Sequence, residues 1–318
     1  MDYETKNQTT ENASEIQLQK RDYILSASII IATIILASAW VYTAQIKIPD
    51  QEVLSAKAMA DLEEKVFPEK GAKLPIVWGS LGKQMIDAGV VDQKKFEDLY
   101  AQRASLPDGQ GGLDEATKQL LTETDNRQLV ITKENAGAVL SLLWAFGLAN
   151  KNEILEKGPM MDKQYGGKAD NFASTGGWTL AVGNPMNHYS KHSMVALTPE
   201  QQSLVSEVSK NIYRPCCGNS THFPDCNHGM AMLGLLELMA SQGVSEADMY
   251  KAALAVNSYW FPDTYLTVAQ YLKTKGMAWK DVSPKEILGR EYSSASGFQQ
   301  IRSQVVPVEP KGNNSCSA

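Results

Sequence analysis

Two stretches of the chain are so uniformly apolar that they restrict the fold to one built on buried helices. Residues 136–149 have the sequence AGAVLSLLWAFGLA, and residues 228–241 have the sequence HGMAMLGLLELMAS, with Glu237 as the single charged residue. A helix that is apolar on every side is buried, either in a protein core or in a membrane. The first run is shorter than the roughly 20 residues of a membrane span. Both stretches therefore predict central helices of a helical core.

The N-terminal region predicts a membrane anchor. Residues 1–22 are polar and predict a disordered leader in the cytoplasm. Residues 23–46 contain no charged residue, and a helix of that length crosses a hydrocarbon core of roughly 30 Å. Lysine and arginine just before the segment keep the N-terminus in the cytoplasm by the positive-inside rule, so that the remainder is exported. The alternative is a cleaved signal peptide with Ala37-Ser38-Ala39 as the cleavage site.

These features together predict the organisation of the chain. A juxtamembrane helix over 47–72 leads into a helical extracytoplasmic domain with the Cys/His site over 73–300, and a flexible tail over 301–318 follows. Little of the pattern is typical of strands. The predicted fold class is mainly α, with a single N-terminal transmembrane helix followed by an irregular, mostly helical extracytoplasmic domain. The predicted localisation is the cell membrane, as a single-pass protein. The predicted partners are the lipid bilayer, through residues 23–46, and other membrane or exported proteins.

Capping residues and turn-forming residues divide the exported part further. Asp92 predicts the start of one helix and Thr198, followed by proline, the start of another. Asp225 or Asn227 is the expected cap of the second apolar helix. Residues 158–187, rich in Gly, Asn and Ser, predict a long irregular segment of the kind that builds binding sites.

Charge and missing motifs exclude several classes of function. The net charge of -6 and the pI of about 5.4 argue against a nucleic-acid partner, which requires clustered Lys and Arg. The sequence has no haem-attachment motif, nucleophile elbow, zinc-protease motif, phosphate-binding loop or dinucleotide fingerprint. These absences argue against hydrolases and nucleotide-dependent enzymes.

The residues that carry chemistry are concentrated in one window. Three of the four cysteines and two of the four histidines lie between residues 213 and 243, and the other two histidines lie just upstream. Thiolate and imidazole together suit copper or zinc. The candidate metal ligands are Cys216, Cys217, Cys226, His228, His188 and His192. The last two share a face if their segment is helical.

Two other interpretations of the same cysteines remain open. In an oxidising compartment Cys216 or Cys217 would pair with Cys226, and Cys316 would pair with the remaining cysteine. Alternatively, a thiol of low pKa at the start of a helix would attack a disulfide, with Cys217 and Cys226 as the reactive pair.

A local resemblance accompanies the redox interpretation. Residues 204–250 contain a helix, a cysteine loop, a second helix and a G-x-[ST]-[DE] turn. In these features they resemble the small helical thiol-oxidoreductase module of CcmH-type cytochrome c maturation proteins. The matching positions are Cys217, Asn219, Asp225, Asn227 and the turn 243–246. The chain departs from the module at Arg214, which stands where the module has its first cysteine, and at Cys226, where it has serine.

The leading hypothesis is a membrane-anchored extracytoplasmic protein whose Cys/His site binds or handles a soft metal such as copper. The resemblance implies the first alternative, a thiol–disulfide oxidoreductase or a partner in cytochrome c maturation. The second alternative is a disulfide-stapled structural or interaction domain.

Overall fold

The computed structural model describes residues 56–105 and 112–305, which all belong to one compact unit of the chain. Most of the described residues are helical. In chain order the elements are α1 (Ala56–Val66), β1 (Ala72–Gly79), α2 (Leu81–Asp87), α3 (Gln93–Ala104), α4 (Glu115–Thr122), β2 (Asp125–Ile131), α5 (Ala136–Ala149), α6 (Glu153–Lys157), α7 (Pro199–Lys210), α8 (Asn227–Ser241), α9 (Glu246–Trp260), α10 (Pro262–Thr274), α11 (Pro284–Ile287), α12 (Arg290–Ser293) and α13 (Ala295–Arg302). Short 3-10 turns cover Pro159–Met161, Lys163–Tyr165, Pro185–Asn187 and Trp279–Asp281.

The two apolar stretches form α5 and α8, which pack against each other at the centre of the core. In α5 every residue except Gly137 is buried. In α8 every residue from Asn227 to Ala240 is buried. Such helices are stable only when neighbours cover all their faces, and here the surrounding helices and the sheet do so. The prediction of two interior helices is confirmed.

The described part of the chain also contains a two-stranded sheet that the sequence pattern did not reveal. Strands β1 and β2 are antiparallel, with Ala72 opposite Ile131. Every second residue of β1 from Leu74 to Trp78 is buried, as expected for a strand with one face on the core. The backbone N–H of Val77 in β1 donates to the side-chain oxygen of Gln242 at 2.8 Å. The side-chain NH2 of Gln242 donates in return to the carbonyl of Val77, also at 2.8 Å. The sheet is thus joined to the end of α8.

Helix starts agree with most of the capping predictions. The Asp92 carboxylate accepts a hydrogen bond from the N–H of Lys95 at 3.2 Å. The Thr198 hydroxyl and Gln201 form a reciprocal capping box at the start of α7. The start of α8 differs from the prediction, because its N-cap is Cys226 and not Asp225 or Asn227.

The membrane part of the predicted fold is corrected. Among residues 56–105 and 112–305, no helix is long and apolar enough to cross a bilayer. The longest helices there, α8 and α9, have 15 residues each and extend about 22 Å, against a core of about 30 Å. This finding contradicts the fold class with a transmembrane helix, the signal-anchor assignment and the single-pass membrane localisation. The predicted leader over 1–22 and span over 23–46 lie outside the described residues, as does the tail beyond residue 305.

Glycines allow α5 and α8 to approach closely. A Cβ on Gly147 would collide with the carbonyl oxygen of Met230, and a Cβ on Gly234 would lie 2.6 Å from the carbonyl oxygen of Leu143. The obstacles are backbone atoms, which cannot rotate away. Any side chain at either glycine therefore requires the two helices to separate.

We expect Gly234→Ala to lower the free energy of unfolding by roughly 1–3 kcal/mol, because it overpacks the centre of the core. Gly137→Ala is the matched control, because Gly137 lies in α5 with open space around its missing Cβ. That change should be neutral or stabilise the protein by up to about 1 kcal/mol, through helix propensity. Urea unfolding of both variants measures the difference. Equal effects of the two changes would show that α5 and α8 are not in close contact at Gly234.

Glu237 is the single acidic or basic residue of α8 apart from His228, and it lies wholly inside the core. Its carboxyl oxygens accept hydrogen bonds from the amide groups of Asn150 at 2.5 Å and Asn152 at 2.7 Å. Burial raises the pKa of Glu237 to about 8, although both amides act in the opposite direction. The network joins α8 to the segment that connects α5 and α6.

This raised pKa makes stability depend on pH. The folded protein holds a proton on Glu237 up to about pH 8, whereas the unfolded chain releases it near the ordinary value of 4.5. The folded state therefore binds more protons between these limits, and the contribution to stability falls as the pH rises through them. We expect the free energy of unfolding of Glu237→Gln to depend less on pH than that of the wild type, by on the order of a few kcal/mol. Urea unfolding at pH 5 and pH 8 measures both slopes. Parallel slopes would refute the assignment.

Candidate metal centre

The loop between α7 and α8 folds back on itself and brings its cysteines to the start of α8. Tyr213 and Ser220 pair as an isolated antiparallel bridge. The N–H of Thr221 donates to the carbonyl of Ile212 at 2.7 Å. Between these pairs the chain makes a tight turn, and Cys216 and Cys217 lie at its tip.

Three separate parts of the fold hold this turn. The carbonyl of Leu288 accepts from the N–H of Tyr213 at 2.8 Å, and the N–H of Ala295 donates to the carbonyl of Cys217 at 2.9 Å. The side-chain amide of Asn257 donates to the carbonyl of Tyr213 at 3.2 Å. The cysteines are thus positioned by α9 and by the helices near the end of the described chain.

A buried arginine occupies the centre of the loop. Arg214 is 1% exposed. Its guanidinium donates to the carbonyl oxygens of Asn219 at 3.1 Å and Phe223 at 3.0 Å. It also donates to Asp225 Oδ1 at 2.6 Å and to Cys226 Sγ at 3.0 Å. Asp225 in turn accepts a hydrogen bond from Asn219 at 2.7 Å. The loop therefore closes around one cation.

The three cysteine sulfurs converge beside this arginine. Cys216 Sγ lies 3.4 Å from Cys217 Sγ and 3.8 Å from Cys226 Sγ. A disulfide bond is only about 2.05 Å long, so these are separate sulfur atoms. The fourth cysteine, Cys316, lies outside the described residues. Neither of the predicted disulfides with Cys226, from Cys216 or from Cys217, is formed in this structure.

Cys226 has the environment of a thiolate. It is the N-cap of α8, and its sulfur accepts a hydrogen bond from the N–H of Gly229 at 3.4 Å. Hydrogen bonds from Cys216 and Cys217 lower the pKa of Cys226 well below its ordinary value, and the Arg214 charge adds to the effect against the opposing influence of burial. The positive end of the helix dipole acts in the same direction.

The pKa values of Cys217, Arg214 and Asp225 are also shifted in this cluster. The hydrogen bond from Cys216 lowers the pKa of Cys217, but the bond to Cys226 and burial outweigh it and raise the pKa to about 12. For Arg214, burial lowers the pKa, but the charges of Cys226 and Cys217 more than compensate. Burial raises the pKa of Asp225 in spite of Arg214. The pKa of Cys226 is therefore lowered and that of Cys217 raised, so the cluster favours a thiolate on Cys226.

His228 lies two residues after Cys226, in the first turn of α8, and contacts on several sides fix its ring. Its Nδ1 lies 2.9 Å from the amide oxygen of Asn227, which can only accept, so Nδ1 carries the proton. The ring also makes a hydrogen bond with Cys226, which lowers the pKa of that thiol. The ring packs against Phe261, with centroids 4.4 Å apart, and against Trp260. An oriented imidazole of this kind is typical of a metal ligand.

Ligand atoms in the described residues form two groups that could hold a metal ion. One consists of Cys216, Cys226 and His228, and the other of Cys217, Asp225 and Cys226. Within each group the ligand atoms lie within 4.8 Å of one another. Cys226 belongs to both groups and is therefore the centre of the site.

His188 and His192 form a pair of their own and belong to neither group. His188 Nδ1 lies 3.0 Å from His192 Nε2, and the two rings are stacked. The segment is not helical, since only the 3-10 turn at Pro185–Asn187 precedes it. Burial, followed by the charge of His188, lowers the pKa of His192. The pair meets through the loop and not through a shared helix face.

Arg214 lies at the centre of the candidate site, although its place in the sequence predicted no role for it. It is the single arginine between Arg127 and Arg290, and it stands two residues before the vicinal cysteines. An isolated arginine beside a cysteine pair is the signal that could have identified it.

Comparison of the chain with protein-family models, with curated proteins and with solved structures gives no match.

We expect the thiolate absorbance of the reduced protein in the ultraviolet to appear at a lower pH than that of an ordinary thiol, because Cys226 ionises early. The variant Cys226→Ser should lose this early step, and Cys217→Ser should retain it. A pH titration of the absorbance in the presence of a chelator distinguishes them. Persistence of the early step in Cys226→Ser would assign the thiolate to another cysteine.

Proposed function

We propose that this chain binds and handles one soft metal ion, copper or zinc, held by Cys216, Cys226 and His228. The observation that carries the proposal is the convergence of these three ligand atoms to within 4.8 Å of one another. They come from a fixed loop and from the start of a core helix, so the arrangement does not depend on a chance meeting of surface side chains.

The chemistry of the donors supports a soft metal. Thiolate and imidazole prefer copper and zinc, whereas calcium and magnesium prefer oxygen. The distance between the sulfurs of Cys216 and Cys226, 3.8 Å, also suits a shared ion. Two thiolates on a tetrahedral zinc, with bonds of about 2.3 Å, have their sulfurs about 3.8 Å apart.

Neighbouring groups support the same ligand set. The hydrogen bonds from Arg214 and Gly229 to Cys226 Sγ hold that sulfur in place and favour its thiolate form. Asn227 fixes the tautomer of His228. Cys216 is half-buried, whereas Cys226 is 8% exposed. An ion would therefore enter and leave from the side of Cys216, which suits a protein that passes its metal on.

A thiol–disulfide oxidoreductase is the second candidate, and the low pKa of Cys226 with its sulfur 3.8 Å from Cys216 favours it. The low exposure of Cys226 argues against attack on an external protein disulfide. In this case Cys216 would have to react first with the substrate.

The metal proposal predicts one bound ion per reduced chain. We expect Cys226→Ser combined with His228→Ala to weaken binding more than about 100-fold, beyond what the loss of a supporting residue costs. The matched control is His188→Ala combined with His192→Ala, which should retain the ion. Dialysis against zinc or copper(I), elemental analysis and competition with a chromophoric chelator measure both. A wild-type chain without affinity for either metal would refute the proposal, and turnover of a disulfide substrate by that chain would favour the second candidate.

A further inference from the structure

The two groups of ligand atoms share Cys226, which raises the question of how many ions the cluster takes. A thiolate common to two groups can bridge two metal ions, with Cys216 and His228 on one side and Cys217 and Asp225 on the other. What the second group, Cys217, Asp225 and Cys226, can hold is considered on the basis of the proposed metal-binding function.

A cation already lies in the second group. The guanidinium of Arg214 donates to Cys226 Sγ at 3.0 Å and to Asp225 Oδ1 at 2.6 Å. It thus binds two of the three ligand residues of that group directly. A metal ion there would have to displace these hydrogen bonds and would be repelled by the positive charge at close range.

The chain is built to keep the guanidinium in this position. Two backbone carbonyls, of Asn219 and Phe223, accept its remaining hydrogen bonds. Gly229 in the first turn of α8 leaves room for it, because a Cβ there would lie 2.6 Å from the central guanidinium carbon. Arg214 is also 1% exposed, so it cannot move into solvent without opening the loop.

In the first group, the guanidinium of Arg214 donates to Cys226 Sγ. Arg214 contacts Cys226 from the side of Asp225, and that leaves Cys216 and His228 to complete the coordination. A hydrogen bond to a metal-bound thiolate is compatible with coordination.

We propose that Arg214 takes the place of a second metal ion: it limits the cluster to one ion and directs that ion to Cys216, Cys226 and His228. Arg214 is thus a specificity-determining residue of the site, and Asp225 is its counter-ion and not a metal ligand.

The experiment compares two substitutions of Arg214 that differ in charge. Arg214→Met removes the cation and should raise the stoichiometry from one ion to two per chain, measured by elemental analysis after equilibration with zinc. Arg214→Lys retains a cation and should stay at one. A purely structural role would not produce this difference, because a damaged loop loses ions and does not gain one. A folded Arg214→Met variant that still holds one ion would overturn the proposal.

Two further variants decide the matter if Arg214→Met does not fold, as judged by circular dichroism. Cys217→Ser and Asp225→Asn each remove a ligand of the second group only. Both should keep one zinc ion per chain, and this result supports the proposal. Loss of the ion in either variant would place the metal in the second group and overturn it. Failure of the wild type to bind any ion would instead refute the proposed function itself.

Discussion

The close contact of α5 and α8 at Gly147 and Gly234 is the constraint on which the rest of the structure depends. Two helices that are apolar on all sides have no face to offer to water, so each must be covered completely. They cover each other best where backbones touch, and only glycine permits that approach. The position of α8 is fixed by this contact, and Cys226 and His228 stand at its first turn. The geometry of the candidate metal centre therefore begins in the core.

The buried ionisable groups around α8 show two different solutions to the cost of burying charge. Arg214 remains charged because four acceptors, two of them anionic, surround its guanidinium. Glu237 accepts from two neutral amides, whose effect is smaller than that of burial, so it retains its proton up to about pH 8. One end of α8 thus has one cation against two anionic groups, a surplus of negative charge that suits a further cation, whereas the middle of the helix is neutral and serves packing.

Elements that depend on a local pattern of residues could be predicted from the sequence, whereas elements that depend on pairing between distant segments could not. The apolar runs gave α5 and α8, and Asp92 and Thr198 marked two helix starts, because these signals lie within a few residues. The sheet was missed because Ala72 meets Ile131 across three intervening helices. The window of cysteines was evident, but the role of Arg214 was not, since it depends on carbonyls that the folded loop presents. His188 and His192 were linked to the cysteines by proximity in sequence, but they belong to neither group of ligand atoms that lie within 4.8 Å of one another.

Cys226 connects the core to the candidate metal centre, because its sulfur caps a core helix and belongs to both groups of candidate metal ligands. As N-cap it accepts the N–H of Gly229, and as ligand it offers the same sulfur to an ion. Cys216 and Cys217 lie on a turn that is held by hydrogen bonds to Leu288, Ala295 and Asn257. A metal ion bound by Cys216 and Cys226 would join the cysteine turn to the start of α8. Binding free energy would then stabilise the loop far more than the helix, because α8 is already fixed by the core.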